Sequence, residues 1–184
     1  QFDAVMEKTL NLIFFAKEKK AIPFAVFKPT GFGRLQLYQD ISEGKKLSDA
    51  ETKEWDRVVE RFDKVCKASH DNKVALLIDA EESWMQRAVD DLVADMMRKY
   101  NKSKPIAFNT LQMYRWDRLD YLKKLHKQAK KEQFYIGIKL VRGAYMEKER
   151  AEEKGDSSPI CSSKEATDEN YNAAIRYMLE NIDC

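Results

Sequence analysis

The sequence predicts an α/β fold built on a parallel sheet. Three observations carry this: four short runs rich in apolar and aromatic residues, an amphipathic helical pattern between each run and the next, and a second run that is apolar throughout. Strict alternation of strand and helix calls for parallel strands, because each crossover helix returns the chain to the same end of the sheet. A continuous apolar run suits a strand covered on both faces. The alternation leaves two architectures open, a doubly wound sheet and a closed barrel. No G-x-G-x-x-G follows the first run, which removes the strongest reason to choose a dinucleotide-binding fold.

The elements follow in order. Residues 2–19 form a leading amphipathic helix, and residues 1–22 are set apart from the alternating region at 23–184. Phe24-Ala-Val-Phe27 is the first strand. Ser48-Asp-Ala-Glu51 is a capping box opening a helix with Trp55, Val58, Val59, Phe62, Val65 and Cys66 on one face. Val74-Ala-Leu-Leu-Ile78 is the second strand, and Trp84, Met85, Ala88, Val89, Leu92, Val93, Met96 and Met97 line the helix after it. Pro105-Ile-Ala-Phe108 is the third strand, with Asp117 capping a helix that buries Leu119, Leu122, Leu125 and Ala129. Residues 134–141 are the fourth, followed by Gly143 and a short charged helix. After a loop at 155–159, a last helix buries Tyr171, Ala174, Ile175 and Met178. A complete (β/α)8 barrel takes about 250 residues, so four units make about half of one.

Composition excludes several classes. Hydrophobic residues make 43% of the 184 and charged residues 35%, as in a globular protein with a solvated exterior. Thirty-three basic residues against thirty-one acidic ones give a net charge of +2, no footprint for nucleic acid. The lysines at 123–124 and 130–131 are read as a solvated helix face. The run at residues 10–16 is too short to span a membrane or serve as a signal peptide. A chain that begins at Gln1 reads as excised from something longer. Three well-separated cysteines, Cys66, Cys161 and Cys184, suit a reducing compartment, and two histidines, His70 and His126, are too few for a His-based metal site.

The informative residues sit at strand ends. Lys28 follows the first strand; Asp79 closes the second, with Glu81 and Glu82 behind it. Asn109 and Gln112 follow the third, and Lys139 and Arg142 lie in and just after the fourth. In parallel α/β folds these ends converge on one mouth, where sites are built. Each has a plainer reading: Lys28 as a surface charge, Asp79 as a helix cap in competition with Ser83, Gln112 as a loop amide. Lys139 interrupts an apolar run, and a buried lysine needs a counter-charge or a ligand. Lys139 and Arg142 with the turn Gly143-Ala144 suit an anion such as a pyrophosphate.

These residues resemble the motifs of proline dehydrogenases. Ile138-Lys-Leu-Val-Arg-Gly-Ala-Tyr145 is similar to the family's most diagnostic motif, and Leu77-Ile-Asp-Ala-Glu-Glu82, Phe108-Asn-Thr-Leu-Gln-Met-Tyr114 and Phe27-Lys-Pro-Thr-Gly31 resemble three others in the family order. The resemblance runs on through Lys164-Glu-Ala-Thr167. It implies a (β/α)8 barrel of the TIM type that holds FAD non-covalently, oxidises L-proline to Δ1-pyrroline-5-carboxylate as the first step of proline catabolism, and passes electrons to a quinone. By the resemblance, Lys28 faces the proline carboxylate and Asp79 sits in a charge network that positions a basic carboxylate clamp. Gln112 contacts the flavin, Lys139 lies beside its N5 and O4 region in place of the more usual Arg, and Tyr145 lies on the substrate side. Val141, Arg142, Gly143 and Ala144 line the isoalloxazine and pyrophosphate; Met146 stands where some members stack an aromatic near the adenine. Ser162, Lys164 and Thr167 match positions that reach the adenosine. Hydride passes to the flavin with no protein nucleophile.

The family's last helix contributes a Tyr and a paired Arg-Arg to the substrate carboxylate, and no Arg-Arg pair occurs in these 184 residues. The sequence therefore predicts a poor catalyst when alone, one that associates through its open sheet edges with the other barrel half or with a second copy. The alternative is a non-catalytic interaction module derived from such an enzyme; intact Lys28, Asp79 and Lys139 favour the enzyme. The resemblance places bacterial members in the cytoplasm or peripherally at the inner membrane, and eukaryotic ones in mitochondria.

Overall fold

A computed structural model describes residues 1–152 and 158–182. Four parallel strands, β1 (Phe24–Phe27), β2 (Ala75–Ile78), β3 (Ala107–Gln112) and β4 (Ile138–Val141), lie in sequential order β1-β2-β3-β4. Sequential parallel order with a helical crossover at each step is the arrangement of a (β/α) barrel. The helices are α1 (Phe2–Ala16), α2 (Leu35–Ser42), α3 (Asp49–Asn72), α4 (Ser83–Tyr100), α5 (Arg118–Glu132), α6 (Met146–Glu152) and α7 (Lys164–Glu180). The loop expected at 155–159 falls largely outside the described residues, as does Cys184.

The capping box forms as expected: Glu51 N–H donates to Ser48 Oγ at 3.3 Å, and Ser48 N–H donates to the Glu51 carboxylate at 2.9 Å. The core lies between the sheet and its helices, centred on Phe27, Phe32, Phe62, Leu76, Ile78, Met85 and Met97. Helix α1 adds Met6, Ile13 and Ala16 to it. The lysine face of α5 is solvated, while Leu122, Leu125 and Ala129 are buried.

Several sequence expectations are corrected. β3 begins two residues later and runs four further than expected, so Asn109 and Gln112 lie within the strand. β4 begins at Ile138 rather than 134. Helix α2, a short amphipathic turn between the first strand and the capping box, was not foreseen. Asp117 does not cap α5 with its side chain, because Arg115 and Arg118 both draw its carboxylate into ion pairs. In α7 only Ala174 of the four expected residues is fully buried. β2 is not covered on both faces: Leu76 and Ile78 are buried, Ala75 and Leu77 half-buried. The physical reason is that the helices pack against one face of the sheet and leave the other, inner face open. On that face Phe24 and Val26 of β1 are each 41% exposed.

Asn101, which sequence reasoning passed over, ties the sheet together at its lower end. Wholly buried, it accepts from Ile106 and Ala107 N–H, both at 2.9 Å, and donates to the carbonyls of Ala107 at 2.9 Å and Tyr135 at 3.0 Å. All four of its valences serve main chain.

Candidate functional site

Side chains alternate along a strand, and partners in register share a face. The register pairs Phe24 with Ala75, Leu77 with Phe108, Thr110 with Lys139 and Gln112 with Val141. Alternation then places Lys28, Asp79, Gln112, Lys139 and Val141 together on the inner face, at the strands' C-terminal ends.

The structure adds three contacts there. Lys139 Nζ donates to Asp79 Oδ1 at 2.6 Å, across 60 residues of sequence, and both side chains are only partly shielded. Lys28 Nζ donates to Tyr145 Oη at 3.4 Å. That hydroxyl, followed by Glu81 and Asp79, raises the Lys28 pKa, so its ammonium stays charged. Gln112 Nε2 donates to the Glu81 carbonyl at 2.7 Å, and Gln112 Oε1 is buried without a partner among the described residues. The counter-charge that Lys139 needed is Asp79, and Asp79 does not cap α4. The first N–H of α4, at Ser83, is instead taken by Glu149 Oε1 at 2.7 Å, from α6.

Not every strand-end residue converges. Asn109 turns to the helix layer, where it donates to Asp90 at 2.8 Å. Arg142 stands three residues from Lys139 and therefore on the opposite face. It pairs with Asp168 of α7 at 2.5 Å and lies 4.7 Å over the Tyr171 ring. Lys164 meets the other oxygen of Asp168 at 2.6 Å, so Arg142 and Lys164 form a second cluster on exposed side chains. Asp168 is held well below the usual carboxylate range by these two cations, Arg142 first. Thr167 is buried one turn away with its hydroxyl donating to the Ser163 carbonyl at 3.1 Å, while Ser162 is exposed. Met146 is half-buried at the start of α6, and Ala144 is exposed.

Gly143 adopts φ +126°, and a Cβ there would stand 2.0 Å from Tyr114 Cδ1. The Tyr114 ring by itself therefore requires a glycine at this position. The Tyr114 hydroxyl in turn donates to Glu149 Oε1 at 2.9 Å, fixing α6 beneath Tyr145. Sequence reasoning missed Tyr114 and Glu149; their signal is three-dimensional.

A parallel β/α layer in sequential strand order, with charged side chains gathered at the strands' C-terminal ends, has the architecture of part of a (β/α) barrel. The chain matches the proline dehydrogenase family over residues 1–184 and belongs to that family. It is 37% identical over 183 residues to the carbapenem antibiotics biosynthesis protein CarD of Pectobacterium carotovorum subsp. carotovorum, an alignment covering 100% of this chain and 48% of CarD. Human mitochondrial proline dehydrogenase 1 is 36% identical over 139 residues, 74% of this chain and 23% of that protein. Among solved structures, proline utilization A from Bdellovibrio bacteriovorus superposes with a TM-score of 0.82 at 19% identity, over 100% of this chain and 20% of the other. The chain thus spans about half the length of CarD and under a quarter of the human protein. The structural likeness establishes the fold as that of the matched part of such a barrel. Among the described residues no helix is long and apolar enough to cross a membrane, and no group of His, Cys, Asp and Glu is placed to hold a metal.

Proposed function

We propose that these residues form the cofactor-holding half of an FAD-dependent proline dehydrogenase, which oxidises L-proline to Δ1-pyrroline-5-carboxylate and passes the electrons to a quinone. The observation that carries this is the inner-face set: a charged Lys28 with no carboxylate partner among the described residues, the Asp79–Lys139 pair, and the acceptor Gln112 Oε1, unpartnered among the described residues. An orphaned buried acceptor beside two cations fits a flat, polar-edged, anionic cofactor. FAD, when bound, supplies the two-electron acceptor.

The chain's own residues bind and orient. Lys28 receives the substrate carboxylate, and Tyr145 holds that ammonium in place. Lys139, steadied by Asp79, sets positive charge where negative charge grows as electrons leave the substrate. Gln112 offers its free oxygen to an N–H of the cofactor. Val141 lines the same face, and Gly143, Ala144 and Met146 follow it along the cofactor; the Arg142–Lys164 cluster, which lies off that face and is held by Asp168, serves with Ser162 and Thr167 the phosphate and adenosine end where the cofactor extends past the strand ends.

Alone, the 184 residues turn over slowly, because no Arg-Arg pair is present to close on the carboxylate. The open inner face and an apolar groove of about 570 Å³ beside β4, lined by Phe108, Ile136, Ile138 and Tyr177, favour association with further barrel strands or with a second copy. Peripheral contact with a membrane belongs to the complete enzyme, and the compartment, mitochondrial or bacterial, follows the source. Proline-dependent reduction of an artificial dye tests the reading. A barrel completed with the remaining units should reduce it, and this chain only weakly. A completed barrel that holds flavin yet stays inert to proline would refute the substrate.

A further inference from the structure

The mouth is carried on loops, and a loop holds a charge in place only if something anchors it. Lys28 is followed at once by the single 3-10 turn Pro29–Gly31. Within that turn Thr30 makes two hydrogen bonds to one carboxylate: its N–H to Glu81 Oε2 and its hydroxyl to Glu81 Oε1, each at 2.9 Å. Glu81 is 5% exposed, and among the described residues no basic side chain reaches it within ion-pair distance. Its main-chain carbonyl, meanwhile, is the acceptor that fixes Gln112 Nε2. One residue, two positions beyond Asp79, thus reaches the loop of β1 through its side chain and the end of β3 through its backbone.

We infer that Glu81 is the positioning residue of this mouth: its carboxylate holds the Lys28 turn, and its carbonyl turns the Gln112 amide so that Oε1 faces the ligand. Tyr38 also steadies the turn, its hydroxyl donating to the Pro29 carbonyl at 2.8 Å. That bond supports the turn from the core side and does not orient Thr30. The inference rests on the proposed function only for what Lys28 and Gln112 hold.

The two roles of Glu81 separate by substitution. Glu81→Ala removes the carboxylate but keeps the carbonyl, so the Lys28 turn should loosen while Gln112 stays oriented. Glu81→Gln keeps one acceptor oxygen and should retain part of the anchoring. Thr30→Val removes only the hydroxyl arm and serves as a second variant that leaves the buried carboxylate in place. Amide exchange by NMR on the 184-residue chain reads the turn directly, because the Thr30 N–H is itself a donor to Glu81. In Glu81→Ala the Thr30 amide should exchange at least about tenfold faster, with Glu81→Gln and Thr30→Val intermediate and the β2 amides unchanged. FAD titration of Thr30→Val, which leaves Glu81 and Gln112 in place, should give an affinity close to the unsubstituted chain. An unchanged Thr30 amide in Glu81→Ala, or equal acceleration across the whole sheet, would overturn the inference. Failure of the unsubstituted chain to bind flavin would count against the proposed function instead, and the Thr30 amide would still decide the role of Glu81.

Discussion

Replacing Asn101 with Ala should remove a large share of this fold's stability, and the magnitude follows from four hydrogen bonds. The substitution orphans two buried N–H groups, of Ile106 and Ala107, and withdraws a donor from the carbonyls of Ala107 and Tyr135. A buried donor left without a partner costs about 1–3 kcal/mol, and a carbonyl with a second lone pair in use costs less. Two donors and two weakened acceptors sum to about 3–5 kcal/mol, against a total stability of about 5–15 kcal/mol for a domain. Asn101→Asp keeps the acceptors but loses both donors, so it should fall between. Urea unfolding followed by circular dichroism gives the difference directly, provided the slope is unchanged. A loss below about 1 kcal/mol for Asn101→Ala would show that water or a shift of β3 satisfies these groups, and the account of Asn101 would be wrong.

Three further predictions address other parts of the molecule. Gly143→Ala forces a Cβ against the Tyr114 ring at a φ that L-residues avoid, and should cost about 2–4 kcal/mol in the same unfolding assay; a neutral result would refute the packing argument. Asp90 and Arg118 form a buried ion pair, also joined by Asn109 and Gln86, so Asp90→Ala should cost about 3–5 kcal/mol, most of it recovered when Arg118→Met is added. His126 has its pKa lowered by burial and then by Lys130. The unfolded chain therefore binds the proton more readily. Stability conferred by the neutral ring is present above about pH 6.5 and is lost as pH falls through the lower folded value. His126→Phe should flatten the pH dependence of unfolding midpoints between about pH 7 and 5, and an unchanged slope would contradict it.

The sequence made the strand-and-helix order legible because apolar periodicity follows directly from which faces are covered. It made Lys28, Asp79, Gln112 and Lys139 legible because polar residues at strand ends are costly unless used. What it hid was pairing. That Lys139 meets Asp79, that Arg142 turns away to Asp168, and that Glu149 rather than Asp79 or Ser83 serves the start of α4 depend on residues far apart in the chain. Asn101 was hidden for another reason: all its partners are backbone groups, which carry no side-chain signature. The extent of β3 was misjudged because Asn109, Thr110 and Gln112 look like a loop. In fact Asn109 bonds Asp90, Thr110 donates to the Ile78 carbonyl at 2.8 Å, and Gln112 bonds the Glu81 carbonyl.

The claim that this chain holds FAD on its inner strand-end face is tested most directly by titrating the purified chain with FAD. Visible absorption and fluorescence quenching report binding, and circular dichroism confirms the fold. The account predicts saturable binding that weakens about tenfold or more in Lys139→Ala, where a charge-assisted contact is lost. A folded chain that shows no saturable binding, or binds equally well without Lys139, would contradict it.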